Sequence, residues 1–353
     1  MTVNKGIQAV LKVLFFVVTA AGLIYLFRDV NSSALMATIS SSGSIVFIIS
    51  AVYGVGSLSD TLAWKFLLPT QRSVPFLTLL QIHIAGESYY RFLPAGAIVG
   101  ESVKVFLLKR HTSAETSEIL TSLFLRKLLM GFAQVFYLGV AVVIGIMMKT
   151  GSSVKMFESI AMTVALMLLI LFVLFGYAVT QGNFCRTILS LLFRIPHHRF
   201  TDAVKEYEHH FLAADRMLST FFVSHRVSGA VSFLFFTFGW LTELAETILV
   251  IAFLGVSITI PQSMLFEPVV SLLRSVAFIL PAGLGVMDAG YVAAFHSFGL
   301  EESVTVAAAF IIIKRSKEIV WIIAGIVLTV ILGADYRSVV TRPSKTILTA
   351  ESQ

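Results

Sequence analysis

The chain has one cysteine in 353 residues, Cys185, which excludes an intramolecular disulfide and a cysteine-held metal cluster. Charge is scarce as well. Asp, Glu, Lys and Arg make up 13% of the residues, against about 25% in an ordinary globular domain. With 57% apolar residues and a mean hydropathy of +0.90, the chain cannot cover its own surface with polar groups, and a soluble fold is excluded. No nucleophile elbow, phosphate-binding glycine loop or zinc-protease motif is present. Neither catalytic residues nor a metal nor a cofactor is therefore expected. The net charge of +6 reads as anchoring on anionic lipid and gives no sign of a nucleic-acid partner.

What the chain does have is long apolar runs. A helix needs roughly 20 apolar residues to cross the hydrocarbon. Residues 10–27, 43–66, 119–148, 160–180, 229–254 and 319–333 qualify as crossings, the first as an uncleaved helix. Two more apolar regions, 76–108 and 263–298, are interrupted by charges, Pro and Gly. The expected fold is all-α, with six full crossings and two re-entrant or broken hairpins in one membrane domain, residues 1–335. The repeat cores are 43–148 and 229–333. Residues 181–225 form a basic linker and 336–353 a short tail. Lys and Arg collect on the cytoplasmic side, which puts the linker, the tail and both termini there. The first hairpin then dips in from the cytoplasm and the second from outside.

The two interruptions share a pattern. Leu93-Pro94-Ala95-Gly96 and Leu280-Pro281-Ala282-Gly283 are identical, and an acid follows each Leu eight residues on, Glu101 and Asp288. At the same offset Lys127 meets Lys314, with Arg126 and Arg315 flanking those lysines on opposite sides. Three crossings separate the copies, so the duplication is expected to be inverted. Matching Gly/Pro-interrupted segments in inverted halves mark the midplane site of many transporters. The plainer reading is a pair of ordinary helices kinked at Pro.

At these residues the chain resembles the family of lysylphosphatidylglycerol synthase transmembrane (flippase-like) proteins. The elements that carry the resemblance are Leu93-Pro-Ala-Gly…Glu101, Leu280-Pro-Ala-Gly-Leu-Gly-Val-Met-Asp288, Gly299 and Lys314-Arg315. The family's second motif is approximately Pro-Gly-Gly-x-Gly-x-x-Glu, from which Ala282 and Asp288 depart mildly. The resemblance implies a helical fold with re-entrant elements and a role in lipid translocation or lipid-linked envelope chemistry. Bifunctional members also carry a soluble domain that makes the aminoacylated lipid. No such domain follows here, so lysyl-lipid synthesis is not expected.

Ionisable groups inside a bilayer cost at least about 2.5–3.5 kcal/mol each and are functional candidates by default. His83, Glu87 and Arg91 follow at i, i+4 steps and share one helix face. They line a cavity, or else they are the wet face of an interfacial helix together with Lys104, Lys109 and Arg110. Arg126 and Lys127 either face the same cavity or snorkel to the surface. Arg126 is the better phosphate ligand, because its planar fork binds two oxygens at once. Lys314, Arg315, Lys317 and Glu318 lie too far from either end of their apolar stretch for all to snorkel. Glu318 is expected to pair with Lys314, and Asp288 with one of the remaining bases. Arg274 sits at the offset matching Glu87. Glu243 and Glu246 share a face and are placed to meet these bases or to hold a proton. Asp60, beside Trp64 and Lys65, reads as an interfacial anchor. His197, His198, Glu206, His209 and His210 read as a solvated linker helix in preference to a metal site.

The residues expected to bind or translocate substrate are therefore Arg91, Pro94, Gly96, Glu101, Arg126, Lys127, Glu243, Arg274, Pro281, Gly283, Asp288, Lys314 and Arg315. The expected activity is movement of an anionic or otherwise polar-headed lipid, with a phosphate as the recognised group, between leaflets of a bacterial cytoplasmic membrane. The alternative is a non-transporting scaffold for lipid-modifying or glycosyltransferase enzymes of the envelope.

Overall fold

A computed structural model describes residues 32–68, 74–93, 96–112, 114–147, 224–276, 285–300 and 304–333, with isolated positions between 162 and 221. The described residues form helices and no strand. They are α1 (Ser32–Ser41), α2 (Gly43–Leu67), α3 (Phe76–Phe92), α4 (Gly96–His111), α5 (Thr116–Met147), α6 (Arg226–Phe253), α7 (Ile260–Val276), α8 (Val286–Ser297) and α9 (Val304–Ile331). By length and composition α2, α5 and α6 can each cross a bilayer. Phe47, Met147, Val227 and Val330 lie on the outside, each more than 65% exposed, as suits a lipid-facing surface. The protein is an all-α, multi-pass membrane protein. The expected crossings at 10–27 and most of 160–180, and the linker and tail, lie outside the described residues.

Both interrupted regions are helical hairpins. In the first, α3 and α4 approach backbone to backbone. A Cβ on Gly100 would stand 2.6 Å from the Gly86 carbonyl oxygen, and one on Gly86 would stand 2.9 Å from that of Gly100. Only glycine admits this spacing. A Cβ on Gly96 would likewise strike the Tyr90 carbonyl. In the second hairpin, α7 and α8 are joined by Tyr291 Oη donating to Glu267 Oε2 at 3.2 Å and Gln262 Nε2 donating to the Phe298 carbonyl at 2.9 Å. Pro94, Pro281 and Gly283 lie outside the described residues.

The halves are related by a two-fold axis. The offset that takes Pro94 to Pro281 makes α2 the counterpart of α6, α3 of α7, α4 of α8 and α5 of α9. The packing of α3 on α9 has its mate in α5 on α7, and that of α3 on α4 in α7 on α8. The packing of α4 on α5 is matched by that of α8 on α9. Along α2 and α6, Ser59 Oγ donates to the Phe235 carbonyl at 2.8 Å and Ser232 Oγ to that of Ala63 at 2.9 Å. Gly56 faces Thr242, and Gly239 faces Asp60. Rising numbers on one helix thus meet falling numbers on the other. Counterpart helices that pack antiparallel require an axis perpendicular to them, passing here near Gly56 and Thr242, so the repeat is inverted. The hairpins accordingly insert from opposite ends. Arg110 Nη1 donates to the Gly333 carbonyl at 2.6 Å, which puts the open end of the first hairpin beside the end of α9. Lys65, Lys109 and Arg226 share that end.

Two outcomes are expected. In a Cys185→Ser background, an impermeant thiol reagent labels His111→Cys and His296→Cys from opposite faces of the membrane. Labelling of both from one face rules out the inverted arrangement. Gly100→Val forces α3 and α4 apart and costs about 1–3 kcal/mol, seen as a lower unfolding temperature of the detergent-purified protein.

Candidate functional site

The charges scarce elsewhere are gathered into two buried clusters, one per half. In the first, Glu87 and Glu101 share the cations of α4 and α5. Lys104 Nζ lies 2.8 Å from Glu87 and 3.2 Å from Glu101, and Lys127 Nζ lies 2.8 Å from Glu101. Lys104 is fully buried, which corrects its reading as an interfacial residue. His83 is 1% exposed, so its face of α3 looks into protein and not into cytoplasmic water. Arg126 is fully buried too and does not snorkel. Lys127, with 43% of its side chain exposed, faces a wetter place.

In the second cluster α9 supplies the cations. Lys314 Nζ lies 2.6 Å from Glu267, 2.9 Å from Glu246 and 3.9 Å from Glu243. Lys317 Nζ donates to both Glu246 oxygens at 2.6 and 2.8 Å. Thr247 Oγ1 donates to Glu267 at 2.7 Å. Arg315 holds Asp288 Oδ1 at 2.8 Å and Glu318 at 2.6 Å. The other Asp288 oxygen accepts the Gly285 N–H at 2.9 Å and so caps the start of α8. Glu318 also binds Arg91 Nη1 at 3.0 Å. The expected Glu318–Lys314 pair is therefore replaced. Acids from α6 and α7 take Lys314, while Arg91 and Arg315 take Glu318.

A chain of contacts results, Arg91–Glu318–Arg315–Asp288. Arg91 lies just before the first tip, and Asp288 just after the second. Arg91 also donates to Tyr53 Oη at 3.1 Å and stacks over that ring at 5.2 Å.

Beside these clusters a cavity of about 340 Å³ lies among α2, α3, α5, α6 and α7. Its charged lining consists of Asp60, Glu87, Glu243 and Glu267 against Arg91, Arg126 and Lys127, with Tyr53, Tyr90, Gln134, Trp240 and Ser271 between them. Asp60 is thus a cavity residue and no surface anchor. Of the residues singled out by sequence, Arg91, Arg126, Lys127 and Glu243 line the cavity. Glu101 and Lys314 lie behind it as partners of its lining. Arg315 and Asp288 tie the second tip to α9. Gly96 serves the turn of the first hairpin. Arg274 falls in α7, but its side chain lies outside the described residues. Sequence reasoning missed Glu267, although an acid within the second interrupted region is a candidate by its charge alone, and Tyr53 and Gln134, which are neutral within apolar spans.

Arg126 is held differently from the other cavity cations. Its Nη2 lies 3.4 Å from Glu87 and from His83, and its Nη1 lies 3.5 Å from Glu101. Charge-assisted hydrogen bonds are normally about 2.7–2.9 Å long. Among the described residues no group accepts a hydrogen bond from Arg126 Nε or Nη1, although both are buried. The guanidinium therefore has donor capacity in reserve at the cavity wall.

Two comparisons with known proteins bear on this arrangement. The family model described as the lysylphosphatidylglycerol synthase TM region matches residues 10–314. No curated protein matches the chain.

The buried pairs should dominate stability. Removing one partner strands the other, at about 3–5 kcal/mol. Glu246→Ala strands Lys317, while Lys314 keeps Glu267 at 2.6 Å, and is expected to cost about that much and to lower the unfolding temperature. Lys127→Ala, at a half-exposed site, should cost no more than about 1 kcal/mol.

Proposed function

The chain belongs to the lysylphosphatidylglycerol synthase TM-region family, whose membrane domain is associated with lipid handling, and from that premise we propose that it moves a polar-headed, phosphate-bearing lipid between leaflets. The observation that carries the proposal is Arg126. A buried guanidinium with two donors to spare, at the wall of a cavity between the hairpins' first arms, suits the oxygens of a phosphate. The carboxylates around it offset the charge of the cations, so an incoming phosphate is recognised by geometry and not trapped by excess positive charge.

The remaining lining fits the rest of a head group. Gln134, Ser271, Tyr90 and Trp240 offer neutral polar and aromatic contacts. Lipid tails stay in the bilayer against the apolar outer faces of the helices. The end that carries Lys65, Lys109, Arg110 and Arg226 faces the cytoplasm by the positive-inside rule. That orientation puts the mouth of the first hairpin on the cytoplasmic side and that of the second outside, in a bacterial cytoplasmic membrane with both termini inside. The reading assigns the protein transport and no chemical transformation, and needs no metal or cofactor.

The test is movement of labelled phospholipids across proteoliposomes. Arg126→Gln should slow it about tenfold to a hundredfold, as expected for losing hydrogen bonds to a charged group worth about 1.5–3 kcal/mol. The thermal unfolding of the variant serves as the control for folding. Equal rates in wild type and Arg126→Gln remove Arg126 from the mechanism. Absence of movement by the wild type over anionic, zwitterionic and glycolipid substrates favours the scaffold.

A further inference from the structure

Asp60 differs from the other acids of the cavity lining. Glu87 is held by Lys104 and Arg126, Glu243 has Lys314 near it, and Glu267 is held by Lys314 and Thr247. Among the described residues no hydrogen bond or ion pair reaches the Asp60 carboxylate. That carboxylate lies against the α6 backbone, where Gly239 leaves it room: a Cβ there would stand 3.1 Å from Asp60 Oδ1. The offset that takes Pro94 to Pro281 takes Asp60 to Thr247, which is neutral and fully buried. The fold is thus satisfied by a neutral residue at the equivalent position. An ionisable group at membrane depth is costly, and structural need does not account for this one.

The charges facing Asp60 come from the neighbouring helices. Arg126 of α5 acts on it most, followed by Glu87 of α3, Lys104 of α4 and Glu243 of α6. His83 of α3 and Lys127 of α5 line the same cavity. From α9, Lys317 sits over the Tyr53 ring at 4.8 Å, two turns away along α2, and is held by Glu246. No ionisable residue lies in α1. Arg126 is also the side chain with two buried donors unanswered. A phosphate that takes those donors brings a second anion to the cation on which Asp60 depends. Anions that share a site favour uptake of a proton by one of them. A phosphodiester stays ionised near neutral pH, and Glu87, Glu243 and Glu267 each have a lysine of their own. Asp60 can be neutralised without stranding any partner.

We infer that Asp60 takes up a proton when a phosphate occupies Arg126, so that a phosphate head group and a proton enter the cavity together. This deepens the transport reading above and rests on it. The phosphate keeps its charge. The proton comes from solvent, binds one Asp60 oxygen and is released with the head group. A proton gradient then gives the movement a direction, toward the alkaline side. In a bacterial cytoplasmic membrane that is acid outside, the lipid is driven into the cytoplasmic leaflet.

Calorimetry on the full-length protein counts the proton. The probe is glycerophosphoglycerol, a water-soluble phosphodiester whose own charge does not change near neutral pH. Titration in two buffers of different protonation enthalpy gives the protons taken up per molecule bound. The wild type should take up close to one, and its affinity should fall as pH rises, by as much as about tenfold per unit. Asp60→Asn, which keeps the shape of the neutral acid, and Asp60→Ser, which is smaller, should take up none and bind alike at every pH. Their unfolding temperatures serve as the control for folding. In proteoliposomes a pH gradient should drive labelled phosphatidylglycerol into the leaflet on the alkaline side with the wild type and with neither variant. Binding by the wild type without proton uptake overturns the inference, as does equal uptake in either variant. Lipid movement indifferent to the gradient refutes the coupling alone. Proton-linked binding without lipid movement refutes the transport reading alone. Failure of the wild type to bind the probe at any pH overturns both.

Discussion

The ionic stretch in the middle of α9 holds the rest of the structure in place. Lys314, Arg315, Lys317 and Glu318 between them reach α3, α6, α7 and α8. Polar groups at membrane depth are tolerated only where protein or enclosed water surrounds them. Four such side chains on one helix therefore force other helices to surround it. The acids of the second half and Arg91 of the first are placed to meet that demand. The end of α3 and the start of α8 are both tied to α9, through Arg91 and Asp288.

Much of this was legible in the sequence, and the reasons are specific. The paired Leu-Pro-Ala-Gly strings located both hairpins, because Pro and Gly in an apolar run have few other uses. The offset between them carried Lys127 onto Lys314 and so located the α5–α9 equivalence. Glu243 and Glu246 stood out as acids in a crossing, and Glu246 does receive the α9 lysines. Pairings were less legible. Spacing along one helix suggested Glu318 with Lys314, but side chains of neighbouring helices compete on equal terms, and those contacts are not encoded in local spacing. Lys104 looked interfacial because it lies close to Lys109 and Arg110. Its burial follows from the close approach of Gly86 and Gly100, which brings Glu87 across the hairpin to meet it. Glu267 carried only the general signal of an acid within the second interrupted region, for its partner is a lysine far along the chain.

The balance of charge sharpens what the cavity can recognise. A pocket of unopposed arginines and lysines would bind any anion and release it slowly. Here each cation is already answered by a carboxylate, and selectivity has to come from the fork of Arg126 and the neutral groups opposite it. On the proposed transport reading, such a lining would hold a head group weakly enough to release it, as a carrier requires.

The partition of charges along the chain also bears on how the protein is made. The first hairpin closes two of its ion pairs internally, Lys104 with Glu87 and with Glu101, and leaves Arg91 to Glu318 of α9. In the second half, Glu246, Glu267 and Asp288 leave the ribosome before Lys314, Arg315 and Lys317, which answer them. A nascent chain that has reached α8 thus presents Glu243, Glu246, Glu267 and Asp288 before the α9 cations that bind them in the folded protein have been made. The ion pairs of the second half can thus close only once its last helix has joined the others.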